Sequence, residues 1–248
     1  MRTMLGETRP SQSSAQVGEV LVLCRLLLIS QAVSAALGGR GIVAEAVSWS
    51  PGVRHATHDL SGYDVVLLFD DLEDRDAMAA AMNLISRSPA RFVVLTHRPE
   101  GAAWGGILAS GAAGVMPTDS TLVDVDSVVR MVREGGSPLA EGRRDALVRA
   151  WFGWLAEDDA LRDRLAHLSP REREVLELLA AGHRVCDIVD DLGVAETTAR
   201  SHIKSIRRKL GVGSQVAAVA ALHRMGGGSL GGIDSAGLAL PSPRHPQE

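Results

Sequence analysis

Thr197-Thr-Ala-Arg-Ser-His-Ile-Lys-Ser-Ile-Arg-Arg-Lys-Leu-Gly211 carries five cations, Arg200, Lys204, Arg207, Arg208 and Lys209, and no acid. Both lysines of the 248-residue chain, Lys204 and Lys209, lie inside it. At about 100° per residue, Ala199, Ile203, Ile206 and Leu210 fall on one apolar helical stripe, while Arg200, Ser201, Lys204 and Arg208 run along another face. A helix that is buried on one side and cationic on the other is suited to phosphates. The same placement excludes any lysine-dependent site elsewhere in the chain.

Working back from this stretch, Ser169-Pro-Arg-Glu reads as a helix start, with Ser169 as N-cap, Pro170 at the first helical position and Glu172 three residues after the cap. Val175, Leu176, Leu178 and Leu179 give that helix an apolar face, and Gly182 stops it. A short second helix over 185–192 ends at Gly193, and the cationic helix follows over 196–210. Two helices joined by a tight turn, the second basic, make a helix-turn-helix. Residues 215–223 supply a fourth, Ala-rich helix.

Length and composition place a second domain ahead of this one. A chain of 248 residues exceeds the usual single-domain size, and a 46% hydrophobic content is ample for two cores. The net charge of -4 hides an uneven distribution, because residues 19–135 hold fourteen acids and nine arginines. In that region apolar β-like runs at 20–23, 42–47, 65–69, 92–95 and 114–116 alternate with helical stretches at 30–37, 74–85, 101–110 and 121–133. Continuously apolar strands separated by helices predict a doubly wound parallel five-stranded sheet in an α/β domain. The expected organisation is therefore a disordered 1–18, an α/β domain over 19–135, a helical linker over 136–167, an all-α four-helix domain over 168–225 and a disordered tail over 226–248. Gly153 and Glu157-Asp-Asp159 suggest a bend or fresh start within the linker, whose Trp151, Phe152 and Trp154 are suited to packing on a neighbouring domain. Cys24 and Cys186 stand far apart in no metal or disulfide spacing, as expected of a reduced, cytoplasmic protein, and Arg25 and Gln31 argue against a membrane span across 20–37. No metal and no cofactor is expected.

Leu168-Ser-Pro-Arg-Glu-Arg-Glu-Val-Leu176, Ala180-Ala-Gly182, Ile188, Leu192-Gly-Val194, Glu196, Thr198, His202-Ile203 and Arg208-Lys-Leu-Gly-Val212 together closely resemble the LuxR/FixJ (NarL-type) DNA-binding domain. The resemblance implies that the helix over 196–210 enters the major groove of double-stranded DNA, with Arg200, Ser201 and Lys204 toward bases and Thr198, Arg208 and Lys209 nearer phosphates. An arginine can take guanine O6 and N7 with two bonds, and backbone contacts fix the register. The chain departs from the family in the second helix, where Val185-Cys186 replaces a polar pair and Asp190-Asp191 stands where bases are common. Cys186 reads as a small buried hydrophobe. Val216, Ala217, Ala220 and Ala221 fit either a homodimer contact or the domain's own core.

The α/β domain resembles a response regulator receiver through Tyr63-Asp-Val-Val-Leu-Leu68, Leu95-Thr96 and Gly111-Ala-Ala-Gly114. That resemblance implies an acidic pair, an Asp acceptor, a Thr and a Lys. The corresponding positions read Cys24-Arg25, Phe69, Thr96 and either Thr118 or Met116, so only Thr96 matches, and a shifted register would bring in Asp70 or Asp71. Phosphoryl transfer to a carboxylate needs a divalent cation, which Arg25 would repel. The expectation is a degenerate receiver controlled without phosphorylation, in a sequence-specific dimeric transcription regulator that is not an enzyme, since no nucleotide loop, HExxH or nucleophile triad motif is present. RNA polymerase and a small-molecule ligand at the receiver-like domain are the further partners the sequence leaves open. Arg25, at the carboxyl end of the first strand, stands where such a sheet binds ligands, with an anion or a salt bridge to Asp70 or Asp71 as its two readings.

Overall fold

The computed structural model describes residues 20–51 and 60–226, and the two termini read as disordered lie outside them apart from Gly226. Five parallel strands, β1 (Val20–Cys24), β2 (Ala44–Ser48), β3 (Val65–Phe69), β4 (Arg91–Thr96) and β5 (Gly114–Pro117), form one sheet in the order β2-β1-β3-β4-β5. The central strands are buried on both faces, which explains their unbroken apolar runs. β1 and β3 are in register, with Cys24 opposite Phe69, and the crossover between the two sides of the sheet falls between them.

Helices cover both faces. α1 (Leu27–Gly38) and α4 (Leu122–Arg133) bury one, around Val22, Leu67, Leu95 and Val129. α2 (Arg75–Arg87) and α3 (Ala102–Ala109) bury the other, around Leu21, Leu68, Val94 and Ile107. Local chemistry sets several starts: Asp74 accepts from the Ala77 N–H ahead of α2, and Thr121 with Asp124 forms a reciprocal capping box on α4. α1 begins three residues earlier than the sequence suggested, because the Leu26–Leu28 run is already helical past Leu26.

The linker differs most from expectation. α5 (Glu141–Ala166) is one uninterrupted helix of 26 residues, about 39 Å long at 1.5 Å per residue, and neither Gly153 nor Glu157-Asp-Asp159 breaks it. Its first half lies against α3 at very short range. A Cβ on Gly105 would sit 2.0 Å from the Leu147 carbonyl oxygen, and one on Gly106 would meet the Trp151 ring at 3.0 Å. The missing side chains let the two backbones meet and seal Trp151 completely from solvent. Trp154 stacks on Trp151 with ring centroids 5.1 Å apart.

The second half of α5 belongs to the C-terminal domain. Leu161 and Leu165 join Leu168, Val175, Leu176, Ile188, Ala199, Ile206 and Leu210 in a separate core made with α6 (Pro170–Ala180), α7 (Val185–Leu192), α8 (Glu196–Leu210) and α9 (Gln215–Gly226). Ser169 and Glu172 form the expected capping box. α7 and α8 both end on glycines in the left-handed region, Gly193 at φ 60° and Gly211 at φ 71°, which a side chain would strain. Asp158, fully buried on α5, meets Arg162 at 2.6 Å and Arg224 of α9 at 3.5 Å, and the Arg164 guanidinium donates to the Leu210 carbonyl at the end of α8. One helix therefore holds both domains.

Candidate functional site

α8 stands on the turn at Gly193 with Ala199, Ile206 and Leu210 in the core and Thr198, Arg200, Ser201, Lys204 and Arg208 on the exposed side. Arg200, Lys204, Arg207 and Arg208, with Val185, Gln215 and the Gly211 turn, line one shallow concavity. Four cations thus converge on a single surface. Arg200 is held by Glu196 one turn earlier, with Nη2 to Oε1 at 2.6 Å, an exposed pair worth at most about 1 kcal/mol that an incoming phosphate or base could replace. Lys204 makes no hydrogen bond or ion pair among the described residues.

Lys209 stands apart from the other five residues expected to contact DNA. Its ammonium donates to Glu172 Oε2 at 2.6 Å and to the His167 carbonyl oxygen at 3.1 Å, so its charge is engaged inside the domain. Within the domain the lysine pins α8 to the start of α6. Burial pushes the Glu172 carboxyl up, but bonds from Lys209, Ser205 and the Ser169 cap outweigh it and bring it down to about 2. Cys186, expected to be buried, is exposed on the first turn of α7. On α9, Val216 is 77% exposed whereas Ala221 is buried in the domain core.

A second site opens at the carboxyl ends of the strands. Asp70 follows β3 directly and its carboxylate is almost wholly enclosed. Oδ2 accepts from Arg25 Nε at 2.7 Å and Trp49 Nε1 at 2.6 Å, and Oδ1 accepts from the Leu72 N–H at 2.8 Å. Leu72 takes φ 51°, costly for a side-chain-bearing residue, and the bond from its N–H to Asp70 helps hold that turn. Asp70 in turn raises the Arg25 pKa, through its hydrogen bond first, and thereby secures the guanidinium's charge. Of the two readings of Arg25, the geometry is that of the salt bridge. Asp71 points elsewhere, to His97 Nδ1. Thr96 Oγ1 donates to the Asp71 carbonyl, and Thr118, whose N–H bonds the Thr96 carbonyl, reaches this site while Met116 is buried in the sheet.

Around these groups lies a cavity of about 820 Å³ that sequence reasoning did not foresee. Leu26, just ahead of α1, with Ile29, Val33 and Ala36 of α1 form one wall, Leu122 and Val125 of α4 another, and Cys24, Phe69 and Leu95 the floor. The signal was present in α1: a helix reading Leu-Leu-Ile-Ser-Gln-Ala-Val-Ser-Ala-Ala-Leu-Gly has too few polar residues for the side that does not face the sheet.

Comparison with known proteins adds to this geometry. The family described as "Bacterial regulatory proteins, luxR family" matches residues 166–222. The "Probable transcriptional regulatory protein NarL" of Mycobacterium tuberculosis is 32% identical over 166 residues, which cover 65% of this chain and 72% of that protein. The spore germination protein GerE of Bacillus subtilis is 44% identical over 59 residues, 24% of this chain and 80% of its own. The solved structure of the response regulator ChrA of a heme-sensing two-component system aligns with 84% of this chain and 98% of its own at 21% identity, with a TM-score of 0.42. Five parallel strands in the order β2-β1-β3-β4-β5, followed by a four-helix helix-turn-helix domain and a relative of this similarity and extent, place the chain in the LuxR/NarL family of DNA-binding transcriptional response regulators.

Proposed function

We propose that the protein binds DNA sequence-specifically as a dimer and that its receiver domain controls it without accepting a phosphoryl group. Arg200, Ser201 and Lys204 read base edges, while Thr198 and Arg208 hold phosphates. The exposed cationic face of α8 carries the first half: it offers Arg and Lys side chains of the reach that base contacts need. The exposed Val216 on α9 supports a contact between two bound copies. Placement in the cytoplasm and contact with RNA polymerase follow from that role.

The second half rests on the donor set at the sheet edge. A magnesium ion and a phosphoryl group call for an acidic pair, a free carboxylate and a lysine. Cys24, Arg25, Phe69 and Thr118 take those positions, and the nearby Asp70 already accepts from Arg25, Trp49 and Leu72. The residues present do not fit the group. Control by a bound molecule or partner protein is the second reading, favoured by the cavity that occupies the same place.

Binding of the full chain to fragments of its own promoter region, followed by fluorescence anisotropy at several salt concentrations, tests both halves. The expected result is a specific complex whose affinity falls steeply with salt, and acetyl phosphate with magnesium should leave that affinity unaltered. An equal affinity for unrelated DNA would contradict the first half, and a phosphate-dependent shift the second.

A further inference from the structure

The cavity at the carboxyl edge of the sheet has the size, walls and charge of a ligand site. Its volume of about 820 Å³ lies in the range that holds small organic molecules, and its lining joins apolar walls to a set of charged and polar side chains. It sits at the β1/β3 crossover, where the loops after two neighbouring strands diverge and open sheets of this winding bind ligands. The Thr118 hydroxyl oxygen in its lining is buried without a hydrogen-bond partner among the described residues.

Charge selects among ligands. Asp70, Asp71, Glu73 and Asp74 line the mouth and Arg25 is the one fixed cation there, with His97 beside Asp71. Arg25 is already neutralised by Asp70 and lies 3.8 Å from Asp74, so it offers little to an anion. Asp71 and Asp74 line the cavity and keep about half of their side chains exposed. A carboxylate ligand would meet net negative charge, whereas a protonated amine would meet complementary charge at the rim and apolar wall below. No three His, Cys, Asp or Glu side chains group as a metal would need among the described residues. We infer that this cavity binds a small organic cation, an apolar ring or chain bearing a protonated amine, with the amine among Asp71, Glu73 and Asp74 and the apolar body against Ile29, Val33 and Phe69.

The inference rests on the reading of the receiver as independent of phosphorylation, and its test separates the two. Titration calorimetry on the full chain would compare 1-naphthylmethylamine, 1-naphthylacetate and 1-naphthalenemethanol, which share a body and differ in charge. The amine is expected to bind at least tenfold tighter than the carboxylate at low salt, with the gap narrowing as salt screens the rim. Ala36→Phe, which fills the apolar wall, should weaken all three. Glu73→Gln, an exposed change that spares the fold, should weaken the amine alone. Equal or tighter binding of the carboxylate, amine binding indifferent to both variants, or no binding of any probe below millimolar concentration would overturn the inference. Beryllofluoride with magnesium, run in parallel, addresses the parent reading: a change in oligomeric state overturns that reading, while failed amine binding without such a change overturns only the ligand.

Discussion

The cationic face of α8 and the carboxyl edge of the sheet are both sites that the fold places by topology, yet their side chains are disposed in opposite ways, exposed at the first and bound to one another at the second. At α8, the Gly211 terminus, apolar stripe and charged face all agree, and Arg200, Lys204 and Arg208 reach solvent from a rigid support. At the sheet edge the backbone keeps strand order and register, while the side chains form a closed network around Asp70 and an apolar hollow beside it. On the proposed reading the scaffold is kept without the reaction, because packing constrains the core and only the chemistry constrains the mouth.

Perturbing the shared helix should have the largest effect. Trp151→Ala removes a fully buried ring between α3 and α5 and is expected to cost about 3–5 kcal/mol, seen as a lower melting temperature in calorimetry. Operator preference at temperatures where the protein stays folded should be unchanged, and a change would mean the two regions are coupled more closely than proposed. Next come the two lysines, which separate support from recognition. Lys204→Ala should lose about 1–3 kcal/mol of preference for the operator over unrelated DNA with an unaltered melting point. Lys209→Ala should do the reverse, leaving the buried Glu172 without its cation at a cost of about 1–3 kcal/mol in stability while the salt slope of DNA binding stays the same. Matching effects from the two would refute the division.

A smaller effect is expected from acid. Glu172 titrates near 2 in the folded domain against 4.5 when free, so its carboxylate contributes stability that is fully present above about pH 4.5 and lost as pH falls toward 2. Denaturant titrations of wild type and Glu172→Gln at pH 6 and pH 3 should show a gap that narrows at the lower pH. A gap that stays constant would show that the Lys209 bond does not control the titration.

The regions also differ in how much the sequence told of them. β1, β3, β4 and β5 follow from apolar runs to within a residue or so, and α6 to α9 from caps, glycines and periodicity, because these signals are local. The continuity of α5 was not legible. Gly153 and the acidic cluster read as breakers, and only tertiary contacts, Trp151 against Gly105–Gly106 at one end and Asp158 with Arg224 at the other, keep the helix whole. The position of Lys209 was hidden for a similar reason: Glu172 is legible as a capping residue, but its partner lies 37 residues away on another helix. The exposed face of α8 could be read from one stretch of chain, whereas the cavity needed α1, α4 and three strand ends together.

The most direct test of this account is the affinity of the full chain for its own promoter fragment, measured across a range of salt with and without beryllofluoride and magnesium. A steep salt dependence whose two curves overlie is the predicted result. A flat dependence, or a curve displaced by beryllofluoride, would contradict it.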